Sequence, residues 1–303
     1  MVSQSMINAE KVPISVVILT YNEEKNIEDG LKSVYDWVDE IFVVDSFSTD
    51  RTLEIAKGYT EKIYQNKFEG FPQQRNWTLD NLPFSNEWVF FFDADERPSK
   101  ALKSEISNII PETSSGVNGF YIKRKFIFMG KWIKHGGYYP VWLLRLFKYK
   151  FARCNERLVD EHFIVEGNTL QLQHDIIHED KRGITFWIER HNRYATLDAL
   201  EHIKLVKFEE MANGQTDFPL TTFFEKRRLL KRKVWRCLPM FLRPFMSFFY
   251  CYILRGGFLE GKAGFIYMVL LRFWYPLLVD IRIGEIKRET STETLTTTRV
   301  QSR

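Results

Sequence analysis

Cysteine is scarce in this chain. Cys154, Cys237 and Cys251 are an odd number with no CxxC spacing and no His at zinc-finger distance. Neither a disulfide frame nor a structural zinc site is supported by this, and a reducing compartment fits best. No GxGxxG loop follows the first apolar segment and no GxxxxGK[ST] occurs, which disfavours a Rossmann dinucleotide enzyme and a P-loop NTPase. Charge of one sign is not in excess either. Lys plus Arg number 43 against 39 Asp plus Glu, a net +4, too little to imply nucleic acid, and no RRM or KH pattern is present. The first twelve residues carry Asn8, Glu10 and Lys11 without an apolar stretch, so no signal peptide is expected. In the last third the longest uncharged run, Pro244 to Leu254, falls well short of the ~20 residues of a spanning helix.

Aromatic residues, by contrast, make up 16% of the 303 residues, with hydrophobic residues at 45% and charged residues at 27%. A sizeable core follows, and neither a disordered nor a collagen-like chain fits. The first hundred residues alternate between two kinds of segment. Ile14 to Thr20 is a β-branched apolar run, the pattern of a strand buried on both faces. Asn22 then stands in cap position before a helix carrying Ile27, Leu31 and Val34 on one side. Glu40 to Asp45 reads as a second strand, Thr52 to Lys57 as a helix ended by Gly58, and Lys62 to Gln65 as a weak third strand. Gln73 to Leu82 reads as a helix and Trp88 to Phe92 as a strong fourth strand. Such alternation predicts βαβ units and a mainly parallel sheet.

In open α/β sheets ligands sit beyond the carboxyl ends of the strands. Thr20 to Glu23, Asp45 to Asp50 and Asp93-Ala94-Asp95-Glu96 each follow an apolar strand, so three polar clusters should meet at one sheet edge. Asp93 and Asp95 both lie just past a strand end, where both carboxylates can face one hard cation, Mg2+ or Mn2+. Taken alone, a DxD can equally be a pair of turn residues; three clusters at three successive strand ends are harder to read that way.

Val16-Val-Ile-Leu-Thr-Tyr-Asn-Glu-Glu24, Val43-Val-Asp-Ser-Phe-Ser-Thr-Asp-Arg-Thr52, Gln74-Arg-Asn76 and Phe92-Asp-Ala-Asp-Glu96 resemble family 2 glycosyltransferases of the GT-A fold. Gly136-Gly137, Leu144-Arg-Leu-Phe147, Val159-Asp-Glu-His162 and Asn192-Arg-Tyr-Ala195 resemble the subgroup that includes bacterial lipopolysaccharide-core glucosyltransferases. The likeness runs from about Ile14 to about Gly284 and implies sugar transfer from a nucleotide-sugar donor. By position it places Thr20, Tyr21 and Glu23 along the base and ribose, Asp45 on the base, and Arg75 near the nucleotide. Asp93 would face the ribose or the metal, and Asp95 would ligate the metal bridging the diphosphate.

Inverting displacement needs a base to take the acceptor's proton. Val159-Asp160-Glu161-His162 supplies the candidates. Glu161 is preferred because the resemblance aligns it with the Glu of a Val-His-Glu pattern, while Asp160 stands where His is usual. His174 and His178, four apart, have metal-ligand spacing on a helix and share a face on a strand as well; the resemblance favours His178 as a further metal ligand. His191 follows the i, i+4 series of Trp187, Ala195, Ala199 and Ile203 and reads as a packed helix residue. His135 receives no role.

The last third changes character. From Glu225 to Arg255 nine cations face one acid, a local net of +8 that leaves −4 for the rest of the chain. Aromatic and aliphatic residues, Trp235, Phe241, Phe245 and Phe249 among them, are interleaved with these cations. That is the composition of an interfacial anchor on an anionic leaflet, the other reading being a packed helical subdomain. The expected organisation is a GT-A domain over 14–214, a basic amphipathic helical membrane-association region over 215–284 and a disordered tail over 285–303. The expected protein is an inverting, Mg2+- or Mn2+-dependent glycosyltransferase, cytoplasmic and peripheral on the inner face of the cell membrane. It would use a nucleotide sugar, UDP-linked by preference, and a lipopolysaccharide-core or other lipid-linked acceptor, with no nucleic acid partner. The alternatives are a polyprenyl-phosphate glycosyltransferase, whose phosphate acceptor needs no strong base, and a non-catalytic membrane scaffold with a degenerate sugar-nucleotide fold.

Overall fold

The computed structural model of the chain describes residues 11–155, 162–211 and 238–301. They fall into two compact units, Met1–Lys134 with Tyr138–Gly183, and His135–Gly137 with Ile184–Arg303.

The first unit is an α/β sheet structure. Strands β1 (Val12–Thr20), β2 (Val38–Asp45), β3 (Ile63–Gln65) and β4 (Trp88–Asp93) form a parallel half in the order 3-2-1-4. Beyond β4, strand β8 (Trp142–Lys148) runs antiparallel to both β4 and β6 (Val117–Phe128). β6 pairs in parallel with β11 (Asn168–His178), and β5 (Glu96–Pro98) closes that edge antiparallel to β11. β7 (Lys131–Trp132) folds back on β6, and β9 (Ala152–Cys154) with β10 (Phe163–Val165) forms a separate hairpin.

Strand alternation builds two cores. Val16, Ile18, Phe90 and Phe92 enter one, with Ile27, Leu31 and Val34 of helix α1 (Ile27–Val34) and Leu102 and Ile106 of α4 (Lys100–Glu112). Val17, Phe42, Val89 and Phe91 enter the other, with Leu79 of α3 (Phe71–Asn81) and Cys154 and Phe163 of the hairpin. A strand apolar on both faces is the expected signature of such a three-layer arrangement, and β1 and β4 carry it. The short helix α2 (Thr52–Lys57) connects β2 to β3 and ends at Gly58, as its sequence predicts.

Asn22 departs from its expected role. It is not a cap: α1 starts at Ile27 after Asn26, while Asn22 takes a left-handed φ of 54° and its Oδ1 accepts from the Thr49 amide at 2.8 Å. The side chain ties two strand-end loops together, and a helix start at this point would break that tie.

The second unit begins with α5 (Ile184–Met211). The compact units therefore part at Gly183, whereas the sequence reading extended the first domain to residue 214. The reason is packing: the Tyr275 hydroxyl donates to Asp198 of α5, and the Trp187 ring of α5 lies 6.4 Å from that of Trp274. Within this unit Arg243 and Asp280 form a fully buried ion pair. Gly136, at φ 76°, takes a conformation that L side chains rarely adopt, and a Cβ there would also displace the Met268 methyl, 2.0 Å away. The final helix, Tyr275–Gln301, continues through the segment expected to be a disordered tail; no Gly or Pro follows Gly284 to stop it. By length and composition the helical stretch Gly257–Glu289 is long and apolar enough to cross a membrane. Run length alone misses this, because Lys262, Arg272 and Asp280 interrupt a segment that is apolar on average.

Candidate active site

Parallel pairing brings the ends of β1, β2 and β4 to one edge, because Thr20 lies opposite Asp45 and Leu19 opposite Asp93. The three polar clusters therefore meet. Asp45 is fully buried and accepts from Thr20 Oγ1 (3.0 Å), the Ser48 amide and hydroxyl (2.9 and 2.5 Å) and Gln65 Nε2 (3.2 Å). Four donors occupy the lone-pair directions of one carboxylate, so Asp45 fixes the β1 and β2 ends relative to one another. Asp50 does the same one turn on, accepting from the Thr52 amide at 3.0 Å and the Glu24 amide at 3.1 Å. Tyr21 stands exposed at the rim.

Two buried arginines hold the acids around the β4 end. Arg145, on β8, donates to Asp93 (2.8 Å) and to Glu96 (2.9 Å), and Arg75, on α3, approaches Asp93 at 3.8 Å. Desolvation opposes ionisation here, yet the Arg145 and Arg75 guanidiniums together hold the Asp93 carboxyl well below the usual carboxylate range. Glu96, likewise desolvated and likewise facing Arg145, is also lowered. Arg182, in the turn between β11 and α5, donates to Glu23 (2.6 Å) and Asp180 (2.8 Å) and lies 3.8 Å from Asp95. Burial pushes the Glu23 carboxyl up to about 8, against the pull of Arg182.

Asp95 and His178 face each other. His178 ends β11 in register with Glu96 of β5 and Phe126 of β6. Its Nδ1 lies 3.7 Å from Asp95 Oδ1 and 3.6 Å from Glu96, beyond hydrogen-bond range, and has no hydrogen-bond partner among the described residues. A buried carboxylate oxygen and a buried imidazole nitrogen left at this separation suit a divalent cation that accepts O and N ligands. Asp93 is turned to the arginines instead. Among the described residues no three His, Cys, Asp or Glu side chains form a complete ligand set.

Of the residues singled out from sequence, Thr20, Glu23, Asp45, Arg75, Asp93, Asp95 and His178 thus gather at this edge, with Tyr21 at its rim. His174 does not join them: β11 is a strand, and His174 pairs with Glu105 at 2.8 Å. His191 stacks on Trp187 at 3.5 Å, a packed helix residue as its spacing predicts. Asp160 and Glu161 lie outside the described residues. The ends of that segment are tied, since the Asn155 amide donates to the His162 carbonyl at 3.1 Å and Phe163 packs on Phe91. Sequence reasoning placed Glu96 in the third cluster and Arg145 in a resemblance motif without giving either a role, and it missed Arg182. A charge inside the apolar run Leu143 to Phe147 signals Arg145; nothing in the composition around Arg182 signals that residue.

Residues 15–176 match the family model described as Glycosyl transferase family 2. An uncharacterized glycosyltransferase of Rickettsia bellii is 38% identical over 96 residues, which is 32% of this chain and 32% of that protein. The match thus spans about a third of the length of that relative. A lipopolysaccharide core biosynthesis glycosyltransferase of Rhizobium meliloti is 26% identical over 275 residues, covering 86% of this chain and 90% of the relative. Among solved structures, a mannosyltransferase from Pyrobaculum calidifontis, in complex with GDP-Man and Mn2+, is 15% identical with a TM-score of 0.48, covering 91% of this chain and 88% of that one.

Proposed function

Because the chain belongs to glycosyltransferase family 2, we propose that it transfers a hexosyl group, with inversion, from a UDP-linked sugar to a lipopolysaccharide-core or other lipid-linked glycan at the cytoplasmic face of the membrane. The observation that carries this reading is the meeting of the β1, β2 and β4 ends around Asp95 and His178. The likeness to a lipopolysaccharide core glycosyltransferase, over 86% of this chain, supports the acceptor class. The loop following β1 and the Asp45 hub line the nucleoside side of the edge. Arg75 and Arg145 keep Asp93 ionised and fixed, so its position does not depend on a ligand. Asp95 and His178 would hold Mg2+ or Mn2+, with donor phosphates completing its shell. Such a cation, when bound, neutralises charge growing on the departing nucleoside diphosphate. Glu161, or its neighbour Asp160, would take the proton from the acceptor hydroxyl as the new glycosidic bond forms.

Membrane association is part of the proposal. Phe241, Leu242, Phe245, Phe249 and Leu254 are each half or more exposed in the second unit, and the basic cluster Lys226 to Arg236 directly precedes them in sequence. The test combines donor binding with a substitution. UDP-hexose with Mn2+ should raise the melting temperature, since a ligand at 100 times its Kd stabilises by about 2.7 kcal/mol. Asp95→Asn should remove that metal-dependent shift and most transfer activity while the protein stays folded. A full shift in Asp95→Asn, or full activity in EDTA, overturns the metal assignment.

A further inference from the structure

Two aromatic side chains at the carboxyl edge of the sheet do no packing work in the fold. Tyr21 follows β1 and Phe47 follows β2, and they are 57% and 54% exposed. Neither belongs to either core, and neither side chain has a hydrogen-bond or ring partner among the described residues. Hydrogen bonds on both sides set them level with each other. The Ser46 amide donates to the Thr20 carbonyl at 2.9 Å, and the Asn22 amide donates to Ser48 Oγ at 2.9 Å. Tyr21 lies between Thr20 and Asn22, and Phe47 between Ser46 and Ser48. The two loops therefore present one aromatic residue each at the same step of the edge.

The backbone makes a phenylalanine at position 47 costly. Its φ is 62°, a left-handed conformation uncommon for any residue with a Cβ and an outlier for a bulky one. Glycine adopts it freely, and asparagine more readily than other residues. The Ser48 amide and hydroxyl both donate to Asp45 and fix the turn, so the loop holds the strain in place. An exposed ring gains no burial to offset that strain. Strain held at a strand-end edge, with an apolar side chain left uncovered, points to a ligand that covers it.

Position and polarity narrow the ligand. Only β1 separates β2 from β4 in the sheet. Two strand spacings, about 10 Å, therefore lie between the β2 end and the β4 end that leads to Asp95. A nucleoside diphosphate with its phosphates at Asp95 would cross β1 and bring its base to the rings. Asp45 itself offers a base little, being fully buried with two protein donors on each of its oxygens. Attraction for the base then comes from faces instead of an edge, and every base has a π-face.

We propose that Phe47 is a stacking residue for the nucleobase of the sugar donor, flanking the base together with Tyr21 while Asp45 holds the two loops in place. The proposal rests on the reading of the chain as a nucleotide-sugar transferase and adds what grips the base. It also explains why the strained position carries an aromatic residue where glycine would relax the turn.

Calorimetry on the full-length protein with excess Mn2+ tests this, using UDP, GDP and, as a probe without a base, pyrophosphate. Phe47→Gly should weaken UDP about fivefold or more, the lower end of what one base–aromatic stack contributes, and leave pyrophosphate unchanged. The melting temperature of the unliganded variant should stay the same or rise, because glycine relieves the strain; a ring needed for packing would lower it. Phe47→Trp should keep the UDP affinity, and its added fluorescence should be quenched by UDP but not by pyrophosphate. UDP affinity within twofold of wild type in Phe47→Gly, an equal loss for UDP and pyrophosphate, or a lowered melting temperature overturns the stacking role. A loss confined to the acceptor KM does so too, since it would assign the ring to the acceptor. If the wild-type protein binds pyrophosphate with Mn2+ as tightly as UDP and GDP, no base is held and the proposal fails while the metal assignment stands. If it binds none of the three, the donor-site reading itself fails and the proposal with it.

Discussion

Arg145 and Arg182 divide the acids of the strand ends between them, the first taking Asp93 and Glu96 and the second Glu23, Asp180 and the flank of Asp95. Each guanidinium has a rigid fork of donors, so acids arriving from different strands are fixed without a bound ligand. Glu23 bears the cost of this packing. Its carboxyl titrates at about 8 rather than 4.5 because burial penalises the charged form more than Arg182 favours it. The sign of the linkage follows from that elevation. Below about 4.5 both folded and unfolded chains carry the proton, and this contribution to stability is fully present. As pH rises the unfolded chain ionises first, so stability falls until the folded carboxyl ionises near 8. Melting temperature should therefore decline across that window, and Glu23→Gln should flatten the decline. Equal slopes for the two proteins would show that Glu23 is ionised in the folded state throughout.

At the scale of elements, β1, β2 and β4 could be read from sequence because a strand buried on both faces carries an unbroken β-branched or aromatic run. The site followed from them, since acids placed after three such runs can converge only at the carboxyl edge. What stayed illegible depends on contacts between distant segments. The role of Asn22 is decided by a bond to Thr49, 27 residues away, and that of Arg182 by Glu23, 159 residues away; neither leaves a local pattern. The boundary at Gly183 was hidden for the same reason, because α5 has helical spacing whichever unit it packs with. The hairpin of β9 and β10 frames a prediction of its own. Its closure through Asn155 and His162, with Phe163 under Arg75, anchors both ends of the segment holding Asp160 and Glu161. Glu161→Gln should lower kcat by ~10²-fold or more with donor affinity little changed, since general-base catalysis contributes about 10² to 10⁴. Loss in Asp160→Asn with none in Glu161→Gln would reassign the base to its neighbour. Loss in neither would favour a phosphate acceptor, which needs no base.

For the whole molecule, the distribution of charge and apolar surface matters more than their totals. A net +4 conceals a +8 segment within a chain otherwise at −4, and the exposed aromatic residues lie within that segment. Each basic residue near an anionic surface contributes about 1 kcal/mol, and that attraction is screened by salt. Buried aromatic area contributes about 25 cal/mol per Å2, which salt does not screen. The two terms predict separable behaviour. Neutralising Lys226, Arg227, Arg228, Lys231, Arg232 and Lys233 should release the protein from anionic vesicles at physiological salt. Phe245→Ser with Phe249→Ser, at positions 56% and 57% exposed, should leave binding at low salt but abolish what persists at high salt. Donor binding should survive both changes, because the proposed nucleotide edge is built from β1, β2 and β4. Co-sedimentation against salt measures each arm. If wild-type protein ignores vesicles, or if the aromatic substitutions instead collapse the melting transition, these residues serve packing within the helical unit and the membrane reading fails.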